Sequence, residues 1–130
     1  MSHWTHIQGV ISISVFEKLF DEIDGMTITQ DGIDEFVRGV VANMPKITGD
    51  EGNAQLFINR NQEHDVSRCV HDDNNILGWR EYTTLYYVTV IGDLRGRMLD
   101  ETKGEFNEAM KYLRKTFGKD NVGCIKRIFA

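Results

Sequence analysis

A chain of 130 residues, 41% hydrophobic and 27% charged, has the size and composition of one folded domain with its own core, which excludes a disordered or disulfide-stapled chain. A net charge of −5 argues against a general grip on nucleic acid, which needs clustered Lys and Arg to release counterions. No apolar run approaches the roughly 20 residues of a membrane span. The opening Met1-Ser2-His3-Trp4 lacks the basic-then-apolar pattern of a secretory signal, and Cys69 and Cys124 make no disulfide framework, so a cytoplasmic location is expected.

Residues 3–15 alternate in character. Ile7, Ile11, Ile13 and Val15 share one face with Gly9, and Trp4, His6, Gln8, Val10 and Ser12 share the other, which predicts a strand with its odd face on the core. Residues 16–25 fit a short helical turn through Phe16, Leu19, Phe20 and Ile23, ended by Gly25, with an extension of the first strand as the weaker alternative. Residues 29–44 carry the clearest helical stripe: Ile33, Phe36, Val37, Val40, Val41 and Met44. Thr29 or Asp31 suits its N-cap, Asp34 and Glu35 suit the positive end of its dipole, and Pro45 stops it.

Residues 46–52 read as a turn and 53–60 as a second strand, with Ala54, Leu56 and Ile58 opposite Phe57. Residues 61–80 hold no period, and a connection of that length is expected to be functional or mobile. Residues 81–91 are β-branched and aromatic, a third strand that Gly92-Asp93 is expected to break. Phe106, Met110, Leu113 and Phe117 mark a second helix over 101–117, ended by Gly118, and residues 121–129 close the chain as a strand.

The order strand, helix, strand, strand, helix, strand predicts an α+β fold: a ferredoxin-like βαββαβ sandwich, with a four-stranded antiparallel sheet and two helices on one face. It fills residues 1–130 as a single domain with a long loop at 61–80. The third strand is apolar on both sides, with Leu85, Tyr87 and Ile91 on one and Tyr86, Val88 and Val90 on the other. Helices cover only one face of such a sheet, so something is expected to cover the other. A homo-oligomer formed through the open face or an edge strand would do so, as would the 61–80 loop through Ile76, Leu77 and Trp79.

Several residue groups have the types that chemistry needs. His64, Asp65, Cys69, His71, Asp72 and Asp73 are metal-competent, but His-x4-Cys-x-His matches no established zinc spacing, so no metal is expected. Cys69 beside His71 or His64 lacks an orienting third group and an oxyanion hole, so no catalytic residue and no cofactor is assigned. Arg60, Arg68 and Arg80 flank or lie in the long loop, with Trp79 and Tyr82 beside them. Guanidinium forks suit phosphate, and aromatic rings suit a base. Arg95 and Arg97 are expected at the opposite end of the sheet, where the start of the second helix would add backbone N–H groups. Gly92-Asp93-Leu94-Arg95-Gly96-Arg97 is not a phosphate-binding P-loop. The fold order also matches an RNA-recognition domain, but Tyr82 to Thr89 lacks the basic-glycine-aromatic pattern, so nucleic acid is not the expected partner.

The opening Met1-Ser2-His3-Trp4-Thr5-His6, the turn Ile47-Thr48-Gly49-Asp50-Glu51-Gly52 and the segment Gly92 to Arg97 before an amphipathic helix resemble, in general style, small bacteriophage-encoded proteins of uncharacterised function. The resemblance spans most of the chain. It implies a non-enzymatic anti-defence protein that blocks a host protein or sequesters a nucleotide-derived immune signal in the host cytosol.

Three functions follow as expectations. The first is capture of a nucleotide-like ligand by Trp4, Arg60, Arg68, Trp79, Arg80, Tyr82, Arg95 and Arg97. The second is docking on a host defence protein through an acidic surface that includes Glu17, Asp21, Glu22 and Asp24. The third is a small enzyme using His6, His64 or His71 with a carboxylate.

Overall fold

The computed structural model describes residues 3–16, 30–61 and 83–130. They form, in chain order, β1 (Trp4–Phe16), α1 (Gln30–Ala42), β2 (Gln55–Asn61), β3 (Thr83–Arg95), α2 (Leu99–Phe117), a single 3₁₀ turn (Lys119–Asn121) and β4 (Val122–Phe129). The strands make one sheet in the order β2-β3-β1-β4, with every neighbouring pair antiparallel. β1 and β2 therefore run one way, and β3 and β4 the other. The chain crosses β3 between β1 and β2, and crosses β1 between β3 and β4.

Alternation in β1 sets the two faces of the sheet. Ile7, Ile11, Ile13 and Val15 are buried against Tyr86, Val88, Val90 and Leu94 of β3. Onto this face pack Ile33, Val37 and Val41 of α1 with Met44 just beyond it, and Phe106, Ala109, Met110, Leu113 and Phe117 of α2, so both helices lie on one side. Gly118, at φ 101°, ends α2 by donating its N–H to the Arg114 carbonyl at 2.9 Å.

Some boundaries differ from the sequence reading, each for a physical reason. β3 does not break at Gly92-Asp93 but pairs with β1 along its whole length, from Thr83 opposite Phe16 to Arg95 opposite Trp4. Gly92 sits inside the strand because a Cβ there would lie 3.0 Å from the Ala54 Cα, so glycine admits a close backbone approach rather than a turn. Phe16 belongs to β1, not to a helical turn, and Asn61 is paired in β2 opposite Leu85, not in a loop. Phe36 is exposed at the edge of α1's stripe and meets Phe117 edge-on, with ring centroids 6.1 Å apart. The expected helical turn over 17–25, the helix start at Thr29 and the loop over 62–80 lie outside the described residues.

The 46–52 turn is tied to the end of the sheet by backbone and side chains together. Asp50 donates its N–H to the Arg95 carbonyl at 2.9 Å, and Gly96 donates to His3 at 2.7 Å. Glu105 of α2 accepts both the N–H and the hydroxyl of Thr48, each at 2.6 Å. Gly96, at φ 74°, is required here twice over: by its left-handed backbone, and because a Cβ would collide with the Asp50 carboxylate.

One buried group in the first turn of α2 is not satisfied. The Thr102 hydroxyl is fully buried and has no hydrogen-bond partner among the described residues. Exchanging it for a methyl of the same shape removes a desolvated polar group without opening a cavity. Thr102→Val is therefore expected to raise the unfolding free energy by about 1 kcal/mol, read as a higher denaturant midpoint at unchanged slope.

Candidate functional site

The face of the sheet away from the helices carries the even residues of β1 and the odd residues of β3 and β4. Register places Phe57, Thr89, Val10 and Ile125 in one row across all four strands. The next row is Gln55, Ile91, Gln8 and Arg127. The row on the other side is Asn59, Tyr87, Ser12 and Gly123. Ile125 is 84% exposed, Phe57 52% and Ile91 45%. The apolar character expected from β3 thus extends over neighbouring strands, interleaved with amides and hydroxyls. A shallow concavity of about 430 Å³ lies along Gln8, Val10, Thr89, Ile91, Ile125 and Arg127.

Towards the start of β1 this face becomes polar and aromatic. Trp4, exposed, is the cross-strand partner of Arg95, and His6 is the partner of both Asp93 and Phe129. His6 Nδ1 donates to the Asp93 carboxylate at 2.6 Å, which fixes the imidazole tautomer and leaves Nε2 for another contact. The His6 ring lies 5.1 Å from that of Phe129, and the Arg127 guanidinium sits 4.5 Å over the other ring system of that pair, Phe129. Arg127 is paired with no carboxylate among the described residues, whereas Arg95 is held by Glu51. Three adjacent strands therefore place a tryptophan, a phenylalanine, a histidine–aspartate pair and two arginines at one end of an open face.

The residues expected to bind ligand are not gathered in one place. Trp4 and Arg95 share this end of the open face. Arg97 lies just beyond it, its Nε donating to Thr48 Oγ1 at 3.1 Å and a terminal nitrogen to Asp50 at 3.0 Å, so it braces the 46–52 turn. Arg60 is on the helix-covered face, where it donates to Asp34 of α1 at 2.7 Å. Its cross-strand partner Tyr86 donates to the other oxygen of the same carboxylate. Arg60 and Trp4 stand towards opposite ends of a pairing that runs 13 residues, roughly 40 Å at about 3.3 Å per residue. Arg68, Trp79, Arg80 and Tyr82 lie outside the described residues, as do His64, Cys69 and His71 and the acidic positions Glu17, Asp21, Glu22 and Asp24.

Sequence reasoning missed Arg127 and Phe129 as site residues, and missed the partner of His6. The first two were within reach, since residues two apart on a strand share a face. The His6–Asp93 pair was not, because it depends on the register of two strands that no hairpin joins. Among the described residues no group of three or more His, Cys, Asp or Glu side chains is arranged to hold a metal ion, and no helix is long and apolar enough to cross a membrane. Comparison of the chain with protein-family models, with curated proteins and with solved structures finds no match.

Proposed function

We propose that this is a non-enzymatic binding protein of ferredoxin-like topology, of the phage anti-defence type, that captures a nucleotide-derived signal in the host cytosol. The order β2-β3-β1-β4 with all neighbours antiparallel, and the two crossings it requires, support the topology. One observation carries the ligand class: Trp4, Arg95, His6, Phe129 and Arg127 stand at one end of the open face, and Arg127 also lines its shallow concavity. An exposed indole is a platform for a base, and a guanidinium stacked on an aromatic ring is a preorganised fork for phosphate. Self-association belongs to the same reading, since the apolar row from Phe57 to Ile125 is wide for a surface left in water.

Calorimetric titration with cyclic dinucleotides, cyclic oligoadenylates and cyclic ADP-ribose isomers tests it. Heat is expected with one of these classes, weakened about tenfold or more by Trp4→Ala, as the loss of one stacked base requires. Absence of heat with all of them withdraws the ligand class. The histidine–aspartate geometry favours a second reading, in which His6 Nε2 acts as a base on the bound molecule. Analysis of the titrated ligand separates the two: intact ligand means capture, and cleaved ligand means an enzyme.

A further inference from the structure

Among the described residues the sheet ends on β4, so it is an edge strand, and it carries their most exposed large apolar side chain, Ile125. Its eight residues, Val122 to Phe129, contain no proline and no acidic residue. Long edges of this kind add strands unless something blocks them. Among the described residues the only blocking devices on it are the charges of Lys126 and Arg127.

Those charges, together with the length of the strand, favour one register, since a centre at residue 124 engages only residues 122–126. Side chains on opposite members of an antiparallel pair must point to the same face, so two copies of β4 pair only in registers that set odd positions against odd ones. In the register centred on Ile125, the two Ile125 side chains are directly opposed on the open face. Lys126 then faces Cys124 of the second copy, Arg127 faces Gly123, and Val122 faces Ile128. Each charge is thereby opposite a small neutral residue, and Val122, Ile125 and Ile128 are each opposite an aliphatic residue. Shifting the centre to residue 126 sets Lys126 against Lys126 and Ile125 against Arg127, which like-charge repulsion and lost packing both disfavour.

The centred register also joins the row Phe57–Thr89–Val10–Ile125 to its own copy across the two-fold axis, so that eight strands form one sheet. β2, the other edge, is a weaker candidate: a pairing centred on its exposed Phe57 engages only residues 55–59, against 122–128 in β4.

We infer that the chain forms a two-fold dimer by antiparallel pairing of β4 with β4 of a second copy, in the register that opposes Ile125 to Ile125. This rests on the self-association part of the reading above, not on the ligand.

Disulfide trapping reads the register directly, because opposed residues of an antiparallel pair stand about 4.5–5.5 Å apart between Cα atoms, within disulfide range. In a Cys69→Ser, Cys124→Ser background, Ile125→Cys is expected to give a covalent dimer under mild oxidation, and Lys126→Cys is not. Ile125→Asp, at a position outside the core, is expected to raise the dimer dissociation constant about tenfold or more in sedimentation equilibrium, while the circular dichroism spectrum stays unchanged. Crosslinking through Lys126→Cys instead overturns the register. A dimer that survives Ile125→Asp, or that dissociates with Phe57→Asp alone, overturns the β4 interface and leaves self-association standing. A wild-type chain that stays monomeric across the concentration series overturns both.

Discussion

Replacing Phe106 with alanine is expected to lower the unfolding free energy by about 3–5 kcal/mol. Phe106 is fully buried on the stripe that α2 turns towards the sheet, and the Lys126 ammonium lies 4.6 Å over its ring. Gly9 lies on the same side, and a Cβ there would come within 3.3 Å of the Lys126 Cβ. The ring thus packs where β1 and β4 come together, and α2 cannot shift to fill its loss without pulling Met110 and Leu113 out of the same layer. A domain of this size has a total stability of about 5–15 kcal/mol, so the variant should remain folded but unfold at a much lower urea concentration. The slope should not change, because the same surface is exposed on unfolding. Phe57→Ala is the matched control: the same residue type, on the open face and half in water. It is expected to change stability by no more than about 0.5 kcal/mol. Equal losses in the two variants would mean that the helices do not cover the face assigned to them.

That contrast also marks what the sequence could reveal. The period of β1 alone separates Ile7, Ile11 and Ile13 from Trp4, His6 and Val10, and burial follows that division. The stripes of α1 and α2 are equally legible, because helical spacing is local. Gly92 was not: its role is set by the Ala54 backbone, 38 positions earlier in the chain, and a strand read by itself shows only a glycine before an aspartate. With β3 ended at Gly92, Asp93 and Arg95 fall outside the sheet, and their partners His6 and Trp4 cannot be found. The arginines show the same limit. Arg60 and Arg97 read as available forks, but the carboxylates that hold them come from 26 and 47 residues away. Charge type is local information; which charge is already spoken for is tertiary information. Arg127 is the converse case: its spacing from Phe129 puts both on one face of β4, and that spacing is local.

The Asp34 carboxylate is where that distinction can be measured. It accepts from Arg60 of β2 and from the hydroxyl of the buried Tyr86 of β3, so one side chain in the first half of α1 docks the helix on two strands. The Arg60–Asp34 pair is less than a third exposed on both sides, which limits the screening that makes surface pairs weak. Asp34→Ala removes an acceptor from a buried phenol and the counter-charge from a half-buried guanidinium at once. The expected loss is about 2–3 kcal/mol, the range for hydrogen bonds to charged groups. Asp34→Asn keeps an acceptor for Tyr86 but not the charge, and is expected to fall between Asp34→Ala and the wild type. Arg60→Met, which retains the apolar stem, tests the same link from the other side. If Arg60 serves the fold, this variant loses stability while any nucleotide heat per mole of folded protein stays the same. If Arg60 contacts ligand, the heat disappears at unchanged stability. The geometry favours the first outcome, because the partner of Arg60 belongs to α1 on the covered face, whereas Trp4 lies on the opposite face of the sheet.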